Sequence, residues 1–180
     1  MNNDEIETSY AKYISDDNPN TFFEAKGTFP HKNPWIQIEF YRESLVSYIE
    51  ITNCKDCDGY SLPDLYVQVG DSKVEKSSID SSNGNVGLSK DTYHECGHYI
   101  SKASSKPIAG TIVTIPCDHT SQLPGKFLTI QVVPNPNKET RLILGEVDVY
   151  GLNSVAGNSL QIFHLILYTH ISTYIDFLDF

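Results

Sequence analysis

The sequence predicts an all-β fold, either a sandwich or a barrel, and two observations lead to that prediction. Short segments in which apolar and polar residues alternate recur along residues 35–150, and a period of two is typical of half-buried strands. Clusters of glycine, proline, asparagine, aspartate and serine separate these segments, as turns separate short strands. No segment before residue 150 has a convincing helical period, so this part of the chain is expected to consist of strands and loops.

Two strands between residues 35 and 53 are predicted to organise the rest of the chain. In the first, at 35–40, one face is apolar (Ile36, Ile38 and Phe40), and the opposite face carries Trp35, Gln37 and Glu39. Pro34 precedes it, where a missing backbone donor costs least. The second, at 45–53, is rich in β-branched and aromatic residues and ends at the loop Asn-Cys-Lys-Asp-Cys-Asp-Gly. Their shared apolar face needs a second sheet to cover it.

Later strands are predicted from the same alternation, at residues 65–69, 110–115, 126–133 and 141–150. Residues 71–92 are polar and rich in turn formers, and are predicted to be mainly loop.

An apolar tail, residues 152–180, differs in composition from the rest of the chain. A membrane helix needs about 20 predominantly apolar residues, but two histidines and two aspartates interrupt the tail, at His164, His170, Asp176 and Asp179. A membrane span is therefore disfavoured against an interfacial, packed or non-native tail.

The formal net charge of −10 bounds the partners of this 180-residue chain. Nucleic acid and anionic membranes both require a basic face, so neither is expected as a partner. The surplus of acid suits a divalent cation, although solubility alone also explains it. No basic stretch followed by an apolar one comes after Met1, so no signal peptide is visible. No motif of a serine hydrolase, a zinc protease or a phosphate-binding loop occurs, so the chain is not expected to be an enzyme.

Four cysteines permit two disulfides in three connectivities. The spacing of Cys54 and Cys57 also suits a redox pair or half of a zinc site. However, a redox pair normally lies in a βαβ unit, and none is predicted here. A zinc site would need a second pair of closely spaced cysteines, and Cys96 and Cys117 stand too far apart to form one. Structural disulfides are the favoured interpretation, with Cys54 bonded to Cys57 and Cys96 bonded to Cys117. Disulfides favour an oxidising compartment, so the protein is expected to be secreted or extracellular.

Four motifs in a fixed order give the chain a specific resemblance from about residue 14 to residue 151. They are Asp-Asp-Asn and Thr-Phe-Phe at 16–23, Asn-Pro-Trp-Ile-Gln-Ile-Glu at 33–39, Ile-Glu-Ile-Thr-Asn at 49–53 and Leu-Gly-Glu-Val-Asp-Val at 144–149. In this order they resemble an F-type lectin (fucolectin) domain of the discoidin-like, galactose-binding-like group. The resemblance implies an antiparallel jelly-roll β-sandwich over residues 8–151, with its ligand loops at one end. It also implies that the long-range disulfide Cys96–Cys117 is kept.

A sugar site is the first implication of the resemblance. F-type lectins hold their sugar with one histidine, two arginines and an aspartate, and the histidine and aspartate positions are His31 and Asp56 here. The arginine positions carry Cys54 and Ser61, so two guanidinium forks that would hold ring hydroxyls are missing. Phe22 offers an apolar wall for a sugar methyl group. The resemblance thus implies binding of fucose-type glycans with weakened or altered recognition.

Calcium is the second implication, as a stabilising cofactor. Hard cations take roughly six to eight oxygen ligands, and a loop dense in Asp and Asn can supply several of them. The positions that match the family's ligands are Asp16, Asn18, Thr28, the backbone oxygen of Gly145, and Glu146. The alternative is that residues 16–20 form a solvated Asx turn and that Glu146 is a rim carboxylate.

Two classes of function remain open from the sequence. The first is a carbohydrate-binding lectin module, whose loop rim hydrogen-bonds a glycan beside one apolar wall. The second is a discoidin-like adhesion or scaffold module that binds a protein or membrane surface without recognising sugar. His31 and Asp56 favour the first class, and Cys54 and Ser61 favour the second. Homo-oligomerisation is left open.

Overall fold

The structure is a computed structural model, and it describes residues 12–18, 20–27, 34–57, 60, 62–73, 93–101, 108–118, 124–133, 140–153, 162–165 and 171–172. One short 3-10 turn, Lys12–Ser15, precedes the strands. The described strands are β1 Phe23–Gly27, β2 Trp35–Thr52, β3 Leu65–Gly70, β4 Tyr93–Tyr99, β5 Ile112–Pro116, β6 Gly125–Val132, β7 Thr140–Leu144, β8 Glu146–Asn153, β9 Ile162–Leu165 and β10 Ile171–Ser172. All pairings between these strands are antiparallel, so the prediction of an antiparallel all-β fold is confirmed.

Strand β2 organises the described fold, but it is one strand of 18 residues where the sequence predicted two. Its register against β6 shifts between Glu39 and Ser44, and residues 41–43 at this point are exposed. The first half pairs with β6, and the second half pairs with β8 and with β5. The sheet order is therefore β4-β3-β6-β2-β8-β9, with β5 and β10 also paired to β2 and with β1 and β7 forming a separate pair.

Both halves of β2 contribute to one apolar core. Alternate residues from each half face it, as the period of two requires, and they are joined there by residues of the other strands. The largest fully buried side chains are Ile14, Phe23, Ile36, Ile38, Phe40, Ile49, Ile51, Leu62, Leu65, Ile115 and Leu128. Trp35 lies inside a strand, as predicted, and although it is only 7% exposed it alternates away from this core.

The predicted strand at 141–150 is two strands, β7 and β8, separated at Gly145. Strand β7 pairs with β1, whereas β8 pairs with β2. The N–H of Gly145 donates to the carbonyl of Thr52 (2.9 Å), which anchors the point where the chain changes partner. Strand β4 was missed because it has no clear apolar alternation, and β1 was missed because its alternation covers only five residues and ends in a glycine. The predicted 71–92 loop lies, beyond residue 73, outside the described residues.

Two short strands come from the apolar tail. Strand β9 pairs with β8, and β10 pairs with β2 at Gln37 and Ile38. The interpretation of the tail as a whole stays a prediction, because most of its residues lie outside the described ones. No helix in the described part of the chain has both the length and the apolar character needed to cross a membrane.

Candidate functional site

Several loops meet where β2 ends and β8 begins. Thr52, the last residue of β2, pairs with Glu146, the first residue of β8. Strand β1 begins opposite Leu144, so the residues just before Phe23 come to the same place. We call this region the loop end and define it as residues 16–18, 20–22, 53–57, 108–111 and 145–146. Whether these loops bind a ligand, as the sequence predicted for one end of the sandwich, stays a prediction.

Asp16 organises the first of these loops. Its carboxylate accepts hydrogen bonds from the backbone N–H of Asn18 (3.0 Å) and from the hydroxyl of Thr21 (2.9 Å). Asn18 in turn accepts a bond from the backbone N–H of Asn20 on its side-chain oxygen (3.1 Å), which is an Asx turn. Asp17 between them has a φ of 55°, in the left-handed region that aspartate tolerates. The loop is therefore held by its own side chains.

Glu146 joins this loop to the start of β8. Its carboxylate accepts the same Asn18 N–H (2.9 Å), although the two residues are 128 positions apart. Burial raises the pKa of Glu146 to about 7. A side-chain hydrogen bond to Asp16 and the charge of that carboxylate add to the rise, and the Asn18 N–H opposes it. Two carboxyl groups in contact are stable only with a shared proton or a cation between them.

A cation could use this carboxyl pair, since carboxylate oxygens are hard ligands. Of the predicted ligand set, Asp16 and Glu146 lie together, Asn18 adjoins both, and Gly145 directly precedes Glu146. Thr28 lies outside the described residues. The side-chain oxygen of Asn18 is engaged by Asn20, as the alternative Asx-turn interpretation requires. Among the described residues, no group of three or more His, Cys, Asp or Glu side chains is arranged to hold a metal.

In the presence of a chelator, we expect the free energy of unfolding to fall as the pH rises from about 5 to about 8. The folded chain keeps a proton on Glu146 up to a pKa of about 7, against an ordinary value of 4.5. Between these values the folded state binds more protons, so a higher pH destabilises it. Because Glu146 is only partly buried, solvent screening limits the effect to about 1 kcal/mol.

Thermal unfolding of the wild type and of Glu146→Gln across this pH range is the measurement. The variant removes the titrating group, so its profile should be flatter than that of the wild type. Identical profiles would contradict the assignment of the proton to Glu146.

The second loop is closed by the disulfide Cys54–Cys57, and a separate disulfide joins Cys96 to Cys117. Both predicted pairings are thereby confirmed. Cys54, which stands at a family arginine position, is only 2% exposed, so its side chain presents no donor to a ligand. Asp56, within the closed loop, is exposed.

Tyr60 anchors the far side of this loop to β7. Its hydroxyl accepts a hydrogen bond from the backbone N–H of Ile143 (2.8 Å) and donates one to the carbonyl of Arg141 (3.3 Å). Burial raises the pKa of this phenol well above its usual range, so the hydroxyl stays protonated and able to donate. No pattern in the sequence indicates this role, because both partners are backbone groups on a distant strand.

Tyr60→Phe should lower the free energy of unfolding by about 1–3 kcal/mol, because the N–H of Ile143 loses its acceptor in a buried position. Chemical denaturation measures the change. Tyr41→Phe is the matched control, since Tyr41 is 85% exposed and its hydroxyl should contribute almost nothing. Equal effects of the two substitutions would show that the Tyr60 hydroxyl is not an anchor.

The remaining predicted site residues divide into described and undescribed positions. Phe22 is 37% exposed beside Gly145, where an apolar wall was expected. His31 and Ser61 lie outside the described residues, so the sugar site that the resemblance implies at His31 and Asp56 stays a prediction. Two residues that the sequence analysis did not single out, Ile108 and Ile112, are 76% and 61% exposed at or beside the loop end.

The geometry agrees with a comparison of this chain with known families. The profile of a family described as NedA-like, galactose-binding domain (F5/F8 type C) matches residues 13–121. The chain belongs to the F5/F8 type C family. This membership and the antiparallel strands confirm the discoidin-like fold expected from the sequence. A search of curated proteins found no relative of this F5/F8 type C domain by sequence.

Solved structures similar to this F5/F8 type C domain include a fucolectin from the serum of striped bass, Morone saxatilis. The two are 26% identical with a TM-score of 0.54, over 82% of this chain and 44% of the fucolectin, so the domain spans less than half of that protein. The C-terminal domain of a Bacteroides fragilis chitobiase is 14% identical with a TM-score of 0.56, covering 81% and 82% of the two chains. A family 32 carbohydrate-binding module of Clostridium perfringens NanJ, solved with galactose, is 13% identical with a TM-score of 0.52, covering 77% and 82%.

Proposed function

We propose that this F5/F8 type C domain is a non-catalytic carbohydrate-binding module whose glycan site is the loop end. The observation that carries the proposal is the meeting of the four loop-end segments, which include an exposed carboxylate at Asp56 and an exposed aromatic ring at Phe22. Hydrogen-bonding groups beside one apolar wall are what a sugar requires, since its ring has polar edges and apolar faces. The likeness to the striped bass fucolectin supports the same class of ligand.

Fucose-type glycans are the first ligands to test, with galactose as the second. Both guanidinium forks of the F-type lectin site are absent, because Cys54 is closed in a disulfide and position 61 is serine. Charge-assisted forks contribute much of the strength of such sites. Affinity is therefore expected near millimolar, a binding free energy of about −4 kcal/mol.

Calcium is proposed to stabilise the loop end through Asp16 and Glu146, with Asn18, Thr28 and the backbone oxygen of Gly145 completing the set. The carboxyl pair supports this, because a divalent cation would remove the repulsion that otherwise keeps a proton on Glu146. The ion would act structurally, by joining the loop that contains Asp16 to the start of β8 at Glu146. A rise in melting temperature with added Ca²⁺ that is lost in Glu146→Gln would support the site.

Glycan binding is tested with an array run with and without Ca²⁺, followed by calorimetry on the best ligand. Asp56→Ala and Phe22→Ala should each weaken binding about tenfold, close to 1.4 kcal/mol. Tyr41→Ala is the control for losing an exposed aromatic ring away from the site, and it should leave binding unchanged. Wild-type protein that binds no glycan under either condition would defeat the proposal.

The second candidate function is a discoidin-like adhesion module. It is favoured by the exposed apolar side chains of Ile108 and Ile112. A site that binds one sugar through hydrogen bonds does not need these side chains, whereas a protein or membrane surface could cover them. Binding to neutral lipid vesicles that is lost in an Ile108→Ser, Ile112→Ser variant would support it. The net charge of −10 weakens attachment to anionic lipid, so vesicles rich in phosphatidylserine should bind no better.

A further inference from the structure

We propose that the Cys54–Cys57 disulfide is a redox modification site, reduced by dithiols, that switches the loop end between a closed and an open form. The reduction step rests on the disulfide and its surroundings alone. The effect on ligand binding rests on the proposed function, and the experiments below separate the two.

Access to sulfur differs between the two disulfides. Cys96 and Cys117 are 1% and 4% exposed and belong to the apolar core. Cys54 is 2% exposed, but its partner Cys57 is partly exposed at the loop end. Thiol–disulfide exchange requires a thiolate to reach a sulfur atom, so Cys57 is the point of attack. One disulfide is therefore open to exchange in the folded protein and the other is shielded.

The loop on either side of this disulfide is anchored without it. Upstream, the backbone N–H of Asn53 donates to Thr111 (2.9 Å), and the N–H of Gly110 donates to the carbonyl of Asn53 (3.0 Å). Downstream, the hydroxyl of Tyr60 holds β7 through Ile143. These bonds survive reduction, so the two cysteines stay close to their present Cα separation of 5.6 Å. Reduction should then be local and reversible.

Between the anchors, the disulfide closes a ring that contains only Lys55 and Asp56, both exposed. After the ring, the backbone N–H of Tyr60 donates to the carbonyl of Cys57 (3.1 Å). The stem of Lys55 lies over Gly110, whose φ of +74° belongs to the left-handed region. Opening the ring frees the Asp56 carboxylate from its fixed position, which is the position that the proposed glycan site uses.

The chemistry balances with one dithiol. A thiolate of the reductant attacks the sulfur of Cys57, the S–S bond breaks, and Cys54 leaves as a thiolate that takes up a proton. The second thiol of the reductant then attacks the mixed disulfide and releases Cys57. The protein gains two electrons and two protons, and the reductant ends as a disulfide.

Graded reduction with dithiothreitol, trapping with iodoacetamide and mass mapping test the first step on the full chain. Cys54 and Cys57 should be alkylated together at least about tenfold faster than Cys96 and Cys117, which are the internal control. Trypsin supplies a second readout, because the bond after Lys55 lies inside the ring and should be cut faster once the ring opens. Equal rates of labelling for the two disulfides, or labelling only on unfolding, would overturn the proposal.

Calorimetry with fucose and galactose tests the switch. Reduced wild type and the variant Cys54→Ala, Cys57→Ala should both bind at least about tenfold more weakly than oxidised wild type, and the variant should not respond to dithiothreitol. Selective reduction that leaves both glycan binding and cleavage after Lys55 unchanged would refute the switch. If oxidised wild type binds no glycan, the proposed function fails, and faster cleavage after Lys55 on reduction still decides the switch.

Discussion

Phe23→Ala is expected to lower the free energy of unfolding by about 3–5 kcal/mol. Phe23 is 1% exposed, belongs to the apolar core and starts β1 opposite Leu144. Its removal leaves a cavity that the surrounding strands fill only in part, and the lost burial adds to that cost. Denaturant unfolding followed by circular dichroism measures the change.

Phe22→Ala is the matched control, because Phe22 is the same residue type one position earlier but is 37% exposed. Phe22→Ala should lower the free energy of unfolding by less than about 1 kcal/mol. It should weaken glycan binding more than Phe23→Ala does. A comparable loss of stability in both variants would show that the alternation at the start of β1 is misassigned.

Replacing Cys96 and Cys117 together by alanine should lower the free energy of unfolding by about 3 kcal/mol. The disulfide joins residues 21 positions apart, so it restricts the unfolded chain over a substantial loop. It also lies in the core, where β4 approaches the end of β5 and where a Cβ on Gly97 would come within 2.3 Å of the carbonyl oxygen of Pro116. Differential scanning calorimetry under non-reducing conditions measures the loss.

Cys54→Ala, Cys57→Ala is the comparison, because its cysteines are only 3 positions apart. The entropy of closing so short a ring predicts a loss of about 2 kcal/mol, smaller than that of the core disulfide. A larger loss from the short ring would contradict this order and would assign the loop end a bigger part in stability than its exposure suggests.

Strands with a long and clear alternation of apolar and polar residues could be predicted from the sequence. Strands in which the alternation is short or irregular could not. Strands β2, β3, β5 and β6 were predicted within a few residues, because each has one apolar face. Strand β4, Tyr93–Tyr99, contains a glycine, two histidines and a glutamate, and only its pairing with β3 makes it a strand. Its buried residues are Tyr93 and Cys96, and Cys96 forms a disulfide that no local pattern encodes.

The partner of a strand is a property of the whole fold. Residues 141–150 have the composition of a strand throughout. However, the residues before Gly145 pair with β1, and those after it pair with β2. Similarly, the two segments around residues 40–44 were separate by pattern and continuous in the structure. Local propensity describes which backbone conformation a segment prefers, and it does not describe which edge that segment will meet.

By itself, the sequence determined the all-β class and the residue types available for a polar site, and it favoured the two disulfide pairings without excluding the others. The tertiary structure alone decided which of those residues meet. Asn18 and Glu146 are 128 positions apart, and the bond between them exists because β8 begins beside the end of β2. The same meeting buries Glu146 and brings Asp16 against it, and burial first and then Asp16 raise the pKa of the Glu146 carboxyl to about 7. Burial and neighbouring charges change a pKa according to distances in the folded structure, and these distances cannot be read from separations along the sequence.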